Sequence, residues 1–226
     1  MSTSNKGYCF VLRTNDKENK GYGGFLWPRK GKVECPDWNP EPVCGGGLHG
    51  LLNGQGAPGL LSWSADAIWQ VVKVLESDIV RIGDDKVKFP RGVVVHTGDR
   101  KSATDYLRAK IGPGLLIPGE FVTVGDKGQA TAGYKGQATA GDYGHATAGN
   151  RGTATAGDYG HATAGDYGQA TAGKDGILEC RWWFDDNGTY KPRIAVFYEG
   201  EDFKAGVKYR FECEGKVCKL VEVNHE

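Results

Sequence analysis

Residues 128–175 are six octapeptides in unbroken succession, GQATAGYK, GQATAGDY, GHATAGNR, GTATAGDY, GHATAGDY and GQATAGKD. Their common form is Gly, a variable polar residue, Ala-Thr-Ala-Gly and two turn residues, a period short and regular enough to signal a repeat architecture. In an extended chain the polar residue and the Thr point one way and the Ala between them the other. The flanking Gly and the Asp, Asn, Tyr or Lys pair supply turn chemistry, Gly through its tolerance of positive φ. One unit buries a methyl group or two against an ordering cost of about 1–2 kcal/mol per residue. It is stable only when stacked on copies of itself, each backbone bonded to the coil above and below, so the sequence predicts a β-solenoid.

Two octapeptides per flattened coil place alternate units on opposite faces, with equivalent residues about 4.8 Å apart. One face then carries Thr139, Thr155 and Thr171 beside Gln137, Thr153 and Gln169, with Tyr143 stacked on Tyr159 at the turn. The other carries Thr131, Thr147 and Thr163 beside Gln129, His145 and His161, and the interior is Ala. The frame continues outward in EFVTVGDK (residues 120–127) and GILECRWW (176–183), where Val122, Val124, Leu178 and Cys180 take Ala slots and Glu179 a Thr slot. Bulkier end units close a solenoid's open edges, so eight half-coils, about four coils, are expected at 120–183.

Written from the Ala, AGDYGHAT and AGDYGQAT resemble the octapeptide of bacterial ice-nucleation proteins. That resemblance implies sixteen-residue coils, outward Thr-x-Thr rows that order water, and tyrosine ladders that help chains associate. Here only Thr153-Ala154-Thr155 supplies Thr-x-Thr. Calcium-binding β-rolls have a nine-residue period with GGxGxD, which is absent, so Asp142, Asp158 and Asp166 read as turn residues.

The 28 basic and 28 acidic side chains cancel, so no overall field draws the protein to nucleic acid or a membrane. No apolar run has the length of a membrane span, and the N-terminus lacks a signal-peptide layout, from which a cytoplasmic protein is expected. In that compartment the six cysteines are expected to be reduced, although Cys213 and Cys218 would face each other across a hairpin turning at Glu214-Gly215.

Outside the repeats, residues 8–13, 67–75, 78–82 and 93–96 read as strands, as does VKF after the GDDK turn. Residues 99–110 form the one expected helix, with Ala103, Tyr106, Leu107 and Lys110 on its inner side and Gly112-Pro113 ending it. Residues 21–56, dense in Gly, Pro and Trp, read as an ordered irregular loop. RWWF, RIAVFYEG, KYRFECEG and KVCKLVEV read as C-terminal strands. The fold expected is mainly β: residues 1–119 form a β-rich region with one helix, 120–183 the solenoid, and 184–226 strands that join the globular body or cap the solenoid. PDWNPEPVCGGGLHGLL, WQVVKV, KVKFPRG, RWWF and RIAVFYEGEDFKAGVKYRF also resemble a family of uncharacterised phage and bacterial proteins, which implies an architecture and a phage setting but no established activity.

Three sets of side chains are candidate sites. Gly45, Gly46 and Gly47 leave backbone amides open beside His49, with Trp27, Trp38 and Arg13 nearby in the reading. The ending and the following helix of a phosphate-binding loop are missing. An early Arg and a His at a strand end resemble ADP-ribosyltransferase sites, without a Glu that stands out as catalytic partner. Cys9, Cys35, Cys44 and His49 are soft ligands, but their spacing lacks the tight Cys pair of structural zinc. The ladders are the third set. A non-enzymatic protein is expected, needing no cofactor and using the solenoid as a surface for homodimerisation or for a partner such as a host protein. The alternatives are a nucleotide-binding or ADP-ribosyltransferase-like enzyme at Gly45–His49 and an ice- or water-binding protein working through the Thr rows.

Overall fold

A computed structural model describes residues 7–223 and divides the chain after Ile117 into two units. In the first, β1 (Tyr8–Asn15), β2 (Gly31–Glu34), β3 (Leu48–Leu52), β4 (Ile68–Leu75), β5 (Val80–Ile82), β6 (Lys86–Phe89) and β7 (Arg91–Gly98) form one sheet in the order β2-β7-β4-β1-β3-β6-β5. All pairings are antiparallel. β1 and β4 lie at its middle because both are rich in β-branched and aromatic residues and are apolar on both faces. Val11, Val72 and Val74 pack with Trp27 and Phe89 on one side, and Leu12, Trp69 and Val71 with Leu107 and Ile117 on the other.

The helix α1 (Arg100–Ile111) covers the second side, starting where the Asp99 carboxylate accepts from the Ser102 amide at 2.7 Å and ending at Gly112, φ 72°. Its buried residues are Ala103, Thr104 and Leu107. Lys110, expected on the inner side, is exposed, with its ammonium 5.3 Å from the Tyr106 ring. Phe25, Trp27 and Cys35 pack on the first side. The stretch 21–56 is less irregular than expected, since β2 and β3 both lie within it.

In the second unit, β8 (Phe121–Thr123), β9 (Gln129–Ala132), β10 (Gln137–Thr139), β11 (His145–Ala148), β12 (Thr153–Thr155), β13 (His161–Gly165), β14 (Gln169–Thr171) and β15 (Ile177–Asp186) alternate between two parallel sheets. The sixteen-residue register holds at every rung, with Gln137 opposite Thr153 and Thr153 opposite Gln169 on one face, and His145 opposite His161 on the other. Eight strands make the four coils expected. The repeat alanines fill the interior, none more than 4% exposed.

The last residue of each octapeptide sits in the left-handed region, Tyr143 at φ 56°, Arg151 at 56° and Tyr159 at 54°. The glycines that follow do not, which corrects the reason given for them. A Cβ on Gly136 would stand 2.7 Å from the Ala132 Cβ, so glycine is there for space. Four turns are tied to the next coil by a side chain, three of them in one row: the Asp142 amide donates to Asp126 Oδ1 at 3.1 Å, Asp158 to Asp142 at 2.9 Å and Lys174 to Asp158 at 2.8 Å. Asn150 accepts from the Asp166 amide in the opposite turn row at 3.2 Å.

β15 runs beyond its rung and pairs antiparallel with β16 (Thr189–Tyr198), and β17 (Tyr209–Glu214) and β18 (Val217–Glu222) extend the other sheet from β14. Here Leu178, Cys180, Trp182, Phe184, Phe203, Tyr209 and Phe211 continue the alanine core. The C-terminal strands thus extend the solenoid's two sheets, within the unit that begins at Pro118.

Candidate functional site

The solenoid presents two outward ladders. On the five-stranded sheet Gln129, Thr131, His145 and Thr147 are exposed, whereas Thr163 is 7% exposed and Glu179 likewise 7%. The row closes there because Glu179, in the Thr slot, bonds Arg181 and lies 3.5 Å from His161 Nε2. The two imidazoles are 5.6 Å apart and tilted by 60°. Burial holds the His161 pKa below its ordinary value, with His145 and Arg181 adding to the shift and Glu179 opposing it. On the other sheet Thr139, Thr153, Thr155, Gln169 and Thr171 are half-buried. Tyr143 and Tyr159 stack at the turn, rings 5.0 Å apart and 7° from parallel, and both are about half exposed. The Tyr159 hydroxyl bonds Asp175, whose charge raises the phenol pKa.

Beyond the polar rows the outward face of the five-stranded sheet becomes apolar. The cross-strand pairs Trp183–Pro192, Arg181–Ile194, Glu179–Val196 and Ile177–Tyr198 share that face. Trp183, Tyr190, Ile194 and Tyr198 are each at least half exposed, and Val196 is 41% exposed. Sequence reading gave these strands no outward role, because alternation alone does not say which of two apolar faces is covered.

In the first unit the candidate residues converge around β1, β3 and β6. Arg13 is buried, its guanidinium carbon 3.4 Å from the Trp27 ring centre; Nη1 donates to the His49 carbonyl at 3.0 Å and Nη2 to Asn15 Oδ1 at 2.7 Å. Asn15 continues to Asn19 and Gln70, and Asn19 to the Trp27 carbonyl. Lys88, opposite His49 in β6, is wholly buried and donates to the carbonyls of Val43 at 2.9 Å and Gly45 at 3.1 Å. Trp38 packs on Gly47, where a Cβ would meet the ring at 3.0 Å. Gly46 turns at φ 52°.

Burial pushes the His49 pKa down to about 4, helped by the charges of Lys86, Lys88 and Arg13, and that of Arg13 down to about 9. The ring bonds the Gly47 carbonyl, and its Nε2 is buried without a partner. Arg13 and Lys88 here fasten backbone carbonyls of His49, Val43 and Gly45. A shallow cleft of about 200 Å³, lined by Leu52, Asn53, Gln55, Arg81, Asp84 and Lys86 among others, excludes His49 and the glycines.

The soft ligands of the first unit do not assemble. Cys9 donates to the Val74 carbonyl, Cys35 is buried and Cys44 exposed. Among the described residues the three-member metal-competent group is Cys180, Cys213 and Cys218, which no local spacing indicates. Cys213 and Cys218 face each other across β17 and β18, as expected of a hairpin, but are joined as a disulfide where reduced thiols were expected. Among the described residues no helix is long and apolar enough to cross a membrane.

No family model matches the chain, and no solved structure does. Ice nucleation proteins do match: that of Pseudomonas fluorescens is 43% identical over 98 residues, one from Xanthomonas campestris pv. translucens 38% over 102, and one from Pseudomonas syringae 41% over 103. The matches cover 43–45% of this chain but only 6–9% of those relatives. What the chain shares with them is octapeptide-repeat sequence, and the matched stretch spans less than a tenth of those relatives' length.

Proposed function

We propose that the chain is a non-enzymatic binding protein whose working surface is the outward face of the five-stranded sheet, and that this face takes a second copy of the chain. The observation that carries the reading is the passage from an exposed polar ladder into an apolar patch of Trp183, Tyr190, Ile194, Val196 and Tyr198 on one sheet. Large apolar side chains exposed together mark an interaction site. Arg181 and Asp185 lie four residues apart on that face, so a twofold axis sets each Arg181 against the other copy's Asp185. Pro192 has no N–H to offer along the edge strand, which favours face contact over strand addition. The cytoplasm is the compartment this reading assumes.

Sedimentation equilibrium tests it. The intact protein should be a dimer and Ile194→Lys with Val196→Lys a monomer; a monomeric intact protein removes the proposal and turns attention to a different partner, such as a host protein. A variant lacking Gly136–Tyr167 stays dimeric if the apolar end supplies the affinity, and dissociates if the ladders do.

Water or ice binding is the second reading, supported by the in-register threonine rows and the ice nucleation relatives. Thermal hysteresis or raised droplet-freezing temperatures, abolished by Thr147→Tyr and Thr155→Tyr, would support it. Activity indifferent to those substitutions would exclude the rows as its source.

A further inference from the structure

At the C-terminal end of the solenoid one cysteine from each of three strands points into the same space. Cys180 comes from β15 in one sheet, and Cys213 and Cys218 from the β17–β18 hairpin in the other. Their sulfurs all lie within 4.8 Å of one another, and Cys180 Sγ is 3.4 Å from Cys213 Sγ. Cys180 is fully buried and the other two are half-buried. The indole N–H of Trp182 donates to the Gly215 carbonyl at 3.0 Å, holding the hairpin turn over β15.

A carboxylate lies outside that sulfur group, just past the end of the strand paired with β15. Asp166 follows directly on Gly165, the end of β13, whose Ala164 is the rung partner of Cys180. Its Oδ1 is buried without a hydrogen-bond partner, although its Asp and Asn counterparts at the other turns accept from the coil above. β15 leaves the solenoid path where that donor would have been.

We propose that Cys180, Cys213 and Cys218 form a trithiolate site for a soft divalent cation, zinc in the first instance, with Asp166 as its carboxylate neighbour. The site exists in the dithiol form of the hairpin. A dithiol reductant breaks the Cys213–Cys218 bond, supplying two electrons and two protons and leaving as its own disulfide. The cation then displaces the protons of the three thiols. Soft thiolates select zinc-like ions over hard ones, and three protein ligands leave a fourth position open for a carboxylate or water. Because the ligands come from both sheets, the metal clamps the two layers beyond the last alanine rung.

Cobalt(II) is the probe, added anaerobically to the reduced full-length protein. One equivalent should give thiolate-to-cobalt charge-transfer absorption with the visible bands of a tetrahedral ion, lost on adding zinc. Cys180→Ala and Cys218→Ser should each abolish the charge-transfer signal, whereas Cys9→Ala, Cys35→Ala and Cys44→Ala combined should keep it. The half-buried Cys218 position guards against misfolding in the Cys180 variant, and circular dichroism checks both. Absence of the signal in the reduced protein overturns the proposal, as does its survival in folded Cys180→Ala and Cys218→Ser. Asp166→Asn should weaken binding about ten- to a hundredfold, and an unchanged affinity removes Asp166 from the site.

Discussion

Two glycines of the same repeat frame separate space from flexibility. A Cβ on Gly152 would lie 2.8 Å from the Ala148 Cβ and 2.9 Å from the Gly136 carbonyl, whereas one on Gly125 meets nothing within 4 Å. Gly152→Ala should therefore cost about 1–3 kcal/mol through overpacking, and Gly125→Ala should be neutral or stabilising by less than about 1 kcal/mol. Denaturant unfolding compares the pair, and equal effects would contradict the packing argument. The histidines give a second test. The folded pKa values of His49 and His161 are depressed below 6.5, so the unfolded chain takes up the proton first. Their stability contribution is present above pH 6.5 and lost below it, for His49 over the window down to about 4. Hydrogen exchange at pH 7.5 and 5 should show β1 and β3 opening more at the lower pH, and His49→Asn should flatten that difference.

The elements were unequally legible. The eight solenoid strands could be placed because an eight-residue period carries register as well as conformation, and the helix because Asp99 and Gly112 punctuate it. β2 and β3 could not be read, because GKVE and LHGLL lack alternation and contain glycine. They are strands through their partners: β3 is held by β1 and β6, and β2 by β7. The candidate set Arg13, Trp27, Trp38, Gly45 and His49 was legible as a cluster but not in its use, since nothing along the chain links it to Lys88, the cation that holds the glycine loop by its carbonyls. The three converging cysteines were beyond local reading, as Cys180 and Cys213 are 33 residues apart and meet only because β15 and β17 end up in facing sheets.

On the scale of the molecule, the side-chain links between turns sixteen residues apart act as a counting device. Asp126, Asp142 and Asp158 each hold the amide of the coil above, and β15 must arrive on the five-stranded sheet for β16 to pair and for Cys180 to face the hairpin. Removal of Gly144–Tyr159, one whole coil, should leave a folded protein with slightly lower thermal stability. Removal of 144–151, half as much chain, should be far more damaging, since every later strand changes sheet; circular dichroism and melting of the two variants decide it, and equal tolerance would sink the idea. The repeat number is thus an even quantity. A lineage of such chains can lengthen or shorten its exposed rows only in pairs of octapeptides, keeping the two faces equal in height while each varies its outward residues independently.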